Sequence, residues 1–106
     1  NNNGIFLVDT DAKTITLPAT KKGIKYTFVN VAAAGAAKIT ISPQAVDGIA
    51  GTLTLAATIV TRPGTVDTDL VNTKATTTVG NSVTIVGTGV TGVTAWIIVS
   101  STGIWA

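Results

Sequence analysis

Carboxylates are the side chains of this sequence that could do chemistry near neutral pH, and four of the five form two close pairs. Asp9 is followed by Asp11, Asp67 is followed by Asp69, and Asp47 stands alone. Two carboxylates about 5–10 Å apart are what a glycosidase needs, and Asp oxygens could also join a Ca²⁺ site, which takes six to eight ligands. Both pairs lie in polar stretches, where Asp side chains accept hydrogen bonds from backbone N–H groups of turns. Turn formation therefore accounts for both pairs.

The most common general bases, nucleophiles and zinc ligands are missing. The sequence has no His and no Cys. Ser–His and Cys–His pairs, the usual zinc sites and disulfide bonds are therefore excluded. We expect a protein that is not an enzyme and that uses no cofactor and no metal.

One glycine motif, Gly87-Thr-Gly-Val-Thr-Gly92, matches the G-x-G-x-x-G pattern of dinucleotide-binding proteins. That pattern needs a helix directly after it, because the amides at the start of the helix hold the pyrophosphate. The segment that follows, Val93–Ser100, is rich in Val and Ile and predicts a strand instead. The motif therefore predicts a turn between two strands.

Basic residues are too few and too scattered to indicate a nucleic-acid partner. The net charge is +2, and the small cluster Lys21, Lys22 and Lys25 surrounds a glycine turn, while Arg62 is the only arginine. Nucleic-acid binders usually carry a dense basic face. The longest apolar runs fall well short of the ~20 residues of a membrane span, and Asn1–Gly4 does not resemble a signal peptide. We expect neither a nucleic-acid nor a membrane partner.

Composition indicates a β protein. Threonine makes up about a fifth of the chain, and Val and Ile are also frequent. These β-branched side chains favour strands over helices. Short alternating segments separated by Gly, Pro and Asp every eight to twelve residues predict about eight or nine short strands. The expected fold is all-β, a single-domain antiparallel sandwich or barrel, jelly-roll-like.

The organisation along the chain is one domain preceded by a short arm. Residues 1–4 are predicted to be a flexible or partner-held N-terminal arm, and residues 5–106 the β domain. A strand is expected over Thr52–Thr61, a long loop over Arg62–Lys74, and a strand over Ala75–Val79 that pairs with the next strand.

Low charge suggests that part of the surface is shared with other subunits. Charged residues are 11% of the chain, against about 25% in typical soluble domains. Tyr26, Phe28, Trp96 and Trp105 are expected in the core or, for Trp105, in contact with a neighbouring subunit, where aromatic residues are enriched.

Several segments in a fixed order are similar to those of a known class of proteins. They are Ile15-Thr-Leu-Pro-Ala-Thr, Gly23-Ile-Lys-Tyr-Thr-Phe-Val, Ile39-Thr-Ile-Ser-Pro, Asp47-Gly-Ile-Ala-Gly, Asn81-Ser-Val-Thr-Ile-Val and Ala95-Trp-Ile-Ile-Val-Ser. The arrangement resembles the β-rich modules of tailed-phage virion structural proteins, among them capsid decoration (cement) proteins and head fibres. The loop Arg62–Lys74 and the link Ala32–Ala37 have no counterpart in this resemblance.

The resemblance implies a non-catalytic protein on the outer capsid surface of a virion. Such a protein would decorate and stabilise the capsid by bridging neighbouring major capsid protein subunits, and it would associate with itself, typically as a homotrimer. The alternative is a receptor- or glycan-binding tip of a phage tail fibre. The residues expected to contact the capsid or another subunit are Asn1, Asn2, Asn3, Ile5, Phe6, Arg62, Asp67, Asp69 and Trp105.

Overall fold

In the described part of the chain, nearly all the regular secondary structure is β-strand. The computed structural model describes residues 3–54, 59–63 and 65–105. The described strands are β1 (Asn3–Val8), β2 (Lys13–Thr16), β3 (Lys25–Asn30), β4 (Ile39–Ser42), β5 (Ile49–Thr54), β6 (Ile59–Pro63), β7 (Leu70–Asn72), β8 (Ser82–Gly87) and β9 (Trp96–Thr102), and one 3₁₀ turn covers Lys74–Thr76. The prediction of an all-β domain of eight or nine short strands is confirmed.

The strands form two sheets that differ in size. The large sheet has six strands in the order β1-β3-β8-β9-β5-β6, and the small sheet has three in the order β2-β4-β7. Both sheets are mixed, because β1 with β3, β2 with β4 and β5 with β9 are parallel pairs. The predicted antiparallel, jelly-roll-like arrangement is corrected here to two mixed sheets. Alternation of apolar residues reports which face of a strand is buried but carries no information about strand direction.

One hydrophobic core lies between the sheets. In β8 the burial alternates along the strand, so that Val83 and Ile85 point inward while Thr84 and Val86 lie on the opposite face. Both sheets contribute buried side chains to the same cluster, which includes Phe28, Ile39, Ile41, Ile49, Leu53, Leu70, Val83, Ile85, Trp96, Ile98 and Trp105. The two sheets therefore stabilise each other across one shared interior.

Two buried asparagines connect the sheets inside this core. The amide nitrogen of Asn30 on β3 donates to the side-chain oxygen of Asn72 on β7 at 3.1 Å. Asn72 in turn donates to the backbone carbonyl of Ile104 at 2.9 Å, and its backbone forms a bridge with Trp105. Because buried polar groups are costly unless they are paired, these bonds fix the C-terminal segment against both sheets.

The predicted loop Arg62–Lys74 contains part of β6 and all of β7. β7 has only three residues, and its inward positions are Leu70 and Asn72. An inward asparagine interrupts the apolar pattern by which short strands are predicted. The prediction of a long loop is therefore wrong for residues 62–63 and 70–72.

The strand predicted over Ala75–Val79 is also wrong. Residues 74–76 form the 3₁₀ turn, because threonine hydroxyls bond back to the nearby backbone. Thr76 donates to the carbonyl of Thr73 at 3.3 Å, and Thr77 donates to that of Lys74 at 3.0 Å. Such local bonds compete with strand pairing.

The strand predicted over Thr52–Thr61 is divided into two strands. β5 and β6 pair as an antiparallel hairpin in which Thr54 lies opposite Ile59, and residues 55–58 between them lie outside the described residues. At the start of the chain, Asn3 and Gly4 of the predicted arm pair with Lys25 and Tyr26 as the first residues of β1. Asn1 and Asn2 lie outside the described residues.

Candidate functional site

The most unusual surface of the protein is β1, the strand at one edge of the large sheet. Its sequence is Asn-Gly-Ile-Phe-Leu-Val, with no charged residue and no proline. Ile5 and Leu7 are 73% and 68% exposed on the face away from the core, and Phe6 on the other face is still 43% exposed. An exposed apolar edge strand is a template for pairing with another chain, and natural proteins usually protect such edges with lysine, proline or a bulge.

The face of the large sheet that points away from the core mixes aliphatic side chains with hydroxyl side chains and carries little charge. The register aligns Ile5 with Thr27 of β3 and Thr84 of β8, and the two threonine hydroxyls share a hydrogen bond of 2.9 Å. The neighbouring rows place Val29 beside Leu7, and Val86 beside Ile97. We call this surface the outer face: Ile5, Leu7, Lys25, Thr27, Val29, Ser82, Thr84, Val86, Ile97, Val99 and Ser100.

Charge on the outer face lies only at its border. Lys25, at the start of β3, is the single charged residue in the outer-face set, and it lies in the same row as Asn3 of β1. At the other end of β1 the chain continues into Asp9 and Asp11, which are both exposed. The edge strand therefore has a basic side chain near its beginning and acidic side chains just after its end.

Aromatic rings support β1 from the core side. Phe6 stacks on Phe28, with ring centroids 5.4 Å apart, and meets the edge of Tyr26 at 5.6 Å. Tyr26 also lies 5.7 Å from Trp96. Aromatic pairs at these separations add to the free energy of packing. The cluster holds β1 firmly in place, so that its exposed edge is part of the ordered sheet.

The predicted contact residues lie near both edges of the large sheet. Ile5 and Phe6 lie on β1, whereas Arg62 lies on β6, the other edge strand, where it pairs with Gly51. Asp67 and Asp69 are exposed in the loop that follows β6.

The four remaining predicted contact residues are Trp105 and Asn1 to Asn3. Trp105 is 1% exposed and its ring nitrogen donates to the carbonyl of Thr102 at 3.1 Å, so this residue belongs to the core of its own chain. Asn3 begins β1, as described above, while Asn1 and Asn2 lie outside the described residues.

Two of the carboxylates, Asp11 and Asp47, link separate segments of the chain. Asp11 accepts hydrogen bonds from the backbone N–H groups of Ala12 and Lys38, and from the ammonium group of Lys74. The bond from Lys74, more than any other factor, holds the pKa of Asp11 below its usual value. Asp47 is buried and accepts bonds from the backbone N–H groups of Thr20 and Gly92, at 3.3 and 3.4 Å. Among the described residues, no three acidic side chains come together as a metal site would require.

The glycine motif forms a packed turn, as its sequence context predicts. A side chain at Gly87 would place its Cβ 2.4 Å from the carbonyl oxygen of Lys21. The amides that would cradle a phosphate are already bonded within the protein. Gly89 N–H donates to the Thr20 hydroxyl, and Val90 N–H donates to the Thr88 hydroxyl. The loop therefore joins β8 to β9 and packs on residues 20–22.

Comparison with known proteins gives no indication of function, which is therefore inferred from β1 and the outer face. No protein-family model, curated protein or solved structure matches the chain. In the described part of the chain, no helix has the length and hydropathy to cross a membrane.

Leu7 and Val99 are exposed members of the outer face that the sequence interpretation did not include. A sequence signal for both was present. Residues 5–8 and 96–99 are continuous apolar runs rather than alternating ones, and continuous runs are typical of strands covered on both faces. Here one face of each run covers the core and the other face is exposed. The sequence of both runs is therefore typical of strands that are buried on both faces, although one face is open in the single chain.

Proposed function

We propose that this chain is a non-catalytic structural protein whose outer face and β1 edge are covered by other protein subunits in an assembled particle. The observation that supports this most directly is β1 itself, with apolar residues on both faces and more than two thirds of Ile5 and Leu7 exposed. Burying such surface against a partner releases roughly 25 cal/mol per Å² of apolar area. The half-buried and exposed residues that adjoin it extend the same surface across β3, β8 and β9.

The particle in this proposal is the capsid of a tailed phage, as the sequence resemblance implies. The chain would lie on the outer capsid surface and bridge neighbouring major capsid protein subunits without catalysing a reaction. Repetition of the contact over the lattice would strengthen binding, because each bound copy is held by several weak contacts at once. The low charge of the outer face suits an interface that stays buried.

A glycan-binding fibre tip, the alternative function, receives less support from the positions of the aromatic rings. Sugar-binding sites present exposed rings, whereas Phe28, Trp96 and Trp105 are each at most 1% exposed. Phe6 is 43% exposed, but its ring stacks on Phe28. Tyr26 is half-buried between Phe6 and Trp96. The exposed apolar residues are mainly aliphatic, which suits contact with protein.

Cryo-electron microscopy of the particle that carries this chain tests the proposal. We expect density for the domain on the outer shell, repeating with the capsid lattice, with the outer face of the large sheet turned toward the capsid protein. Density confined to the tail would replace capsid decoration with receptor binding. Absence of the domain from purified particles would overturn the virion proposal.

A binding experiment tests which surface makes the contact. Val99→Lys places a charge on the outer face, whereas Val46→Lys introduces the same change at a similarly exposed valine (55% and 58% exposed) in the loop between β4 and β5. Cosedimentation with assembled capsid shells should be weakened by the first variant and unchanged by the second. Equal binding of both variants would show that the outer face is not the contact.

A further inference from the structure

Alternate residues of β1 point their backbone N–H and C=O groups toward its open edge. The carbonyl of Val8 accepts a bond from the N–H of Val31, so the backbone groups of Val8 point toward β3. Successive residues of a strand point their backbone groups to opposite sides in the plane of the sheet. The N–H and C=O groups of Ile5 and Leu7 therefore point to the open edge, where no described strand pairs with them.

We propose that two copies of this chain pair through β1 as antiparallel strands, so that the large sheet continues across both copies. A twofold axis at Phe6 places Ile5 opposite Leu7 of the second copy, and Leu7 opposite its Ile5. Both residues of each pair present outward N–H and C=O groups, which is the requirement for a hydrogen-bonded antiparallel pair. The interface is isologous, since the same strand serves on both sides.

Burial of side chains favours the same arrangement. Residues opposite each other in an antiparallel pair lie on the same face of the sheet, about 4.5–5.5 Å apart between Cβ atoms. Ile5 and Leu7 would then cover each other on the outer face, where they are 73% and 68% exposed in the single copy. The exposed part of Phe6 would meet Phe6 of the second copy on the other face.

Charge favours the antiparallel direction over the parallel one. In this register the residue opposite Asn3 is Asp9 of the second copy, and Lys25 is the next residue in the row of Asn3. The basic beginning of one edge thus lies beside the acidic end of the other, and the twofold axis repeats the contact. A parallel pair would instead place Asp9 beside Asp9, which is repulsive.

The opposite edge is a weaker candidate for this pairing. β6 ends at Pro63, which has no N–H to donate. Joining β1 of one copy to β6 of the next would also be a head-to-tail contact, which produces rings or open filaments. The trimer that the sequence resemblance implies would need such a contact, so the number of copies distinguishes the two arrangements.

Sedimentation velocity of the isolated chain over a concentration series tests the pair independently of any capsid, so its outcome is separate from that of the proposed function. We expect reversible dimers and no trimer. Leu7→Pro removes an outward N–H and should yield a folded monomer, whereas Leu7→Val, the matched control, should remain dimeric. A chain that stays monomeric at all concentrations, or that forms a trimer, would overturn the proposal.

A charge exchange provides a second test that does not depend on the proline variant. Asp9→Lys and Lys25→Asp should each raise the dimer dissociation constant about tenfold, and the double variant should restore it. The fold of each variant is checked by circular dichroism. Failure of the double variant to recover would contradict the antiparallel register.

Because the sequence contains no cysteine, introduced cysteines report the register directly. Under mild oxidation, a mixture of the Ile5→Cys and Leu7→Cys variants should form a disulfide between different variants, since opposed residues lie within bonding range. Each variant alone should remain largely uncrosslinked, because like residues would be more than about 7 Å apart. Efficient crosslinking of Ile5→Cys alone would show a shifted register and overturn this one.

Discussion

At the scale of single residues, the core contains two tryptophans that differ in one hydrogen bond. Trp96 and Trp105 are both almost fully buried. The ring nitrogen of Trp105 donates to the carbonyl of Thr102 at 3.1 Å, whereas the ring nitrogen of Trp96 is buried without an acceptor in the described part of the chain. A buried donor without an acceptor loses its hydrogen bonds to water and gains none in return.

This difference predicts unequal effects of the same substitution. Trp105→Phe should lower the free energy of unfolding by about 1–3 kcal/mol more than Trp96→Phe, because it leaves the Thr102 carbonyl without its donor while the other change removes an unpaired one. Urea unfolding followed by far-ultraviolet circular dichroism measures both values. The two variants act as controls for each other, since both lose the same atoms, and equal losses would contradict the argument.

The ion pair between Asp11 and Lys74 predicts a dependence of stability on pH. Lys74 lowers the pKa of Asp11 from the ordinary value of 3.8. A depressed folded-state pKa stabilises the protein above the unfolded-state pKa, and this contribution disappears as the pH falls through the folded-state value. Lys74→Ala should therefore raise the pKa of Asp11 and make the fold less sensitive to acid between those two values.

Carboxyl ¹³C titration by nuclear magnetic resonance measures the pKa of Asp11 in both proteins. Lys13→Ala removes an exposed lysine outside the Asp11 contacts and is the matched control. An unchanged pKa in Lys74→Ala would show that the ion pair does not form in solution.

At the scale of elements, the turn between β8 and β9 requires glycine at position 87, because there is no room for a side chain there. Gly87→Ala should destabilise the protein by about 1–3 kcal/mol, the usual cost of overpacking, because the new Cβ would lie 2.4 Å from the Lys21 carbonyl. Gly80→Ala is the comparison, since its Cβ has open space but its φ is +93°. Thermal unfolding should show a loss in both, with only the first also disturbing the amide resonances of residues 20–22.

The same elements show what the sequence could and could not predict. The strand Ser82–Val86 was predictable because burial of one of its faces produces a regular alternation of apolar and polar residues. β7 was not, because Asn72 occupies an inward position to join Asn30 and Ile104. Strand partners were not either, since parallel pairs join distant segments. For the candidate surface, the sequence predicted Ile5 and Phe6 as contact residues. It did not predict Leu7 and Val99, because the sequence does not show which face of the large sheet is exposed.

At the scale of the whole molecule, the two sheets should unfold together. Their buried residues form one cluster, and the Asn30–Asn72 bond joins them inside it. Separating the sheets would expose that bond and both apolar faces at once. We therefore expect a single cooperative transition, as small domains usually show.

Two optical probes test this cooperativity. Circular dichroism reports the strands of both sheets, and tryptophan fluorescence reports the surroundings of Trp96 and Trp105. Their urea midpoints should coincide at concentrations where the chain is monomeric, with Leu7→Pro as a control for any contribution of self-association. Separate midpoints would show that one sheet unfolds before the other.

The position of β9 within the large sheet has a consequence for synthesis on the ribosome. β9 lies between β8 and β5, and β5 and β6 reach the rest of that sheet only through it. The strands synthesised earlier therefore stay partly exposed until residues 96–102 have left the exit tunnel. Without β9, no other strand joins β5 and β6 to the rest of the large sheet. Segments in this state are prone to aggregation. Cellular factors that shield nascent chains should thus raise the yield of this protein more than they would for a fold whose sheet closes early.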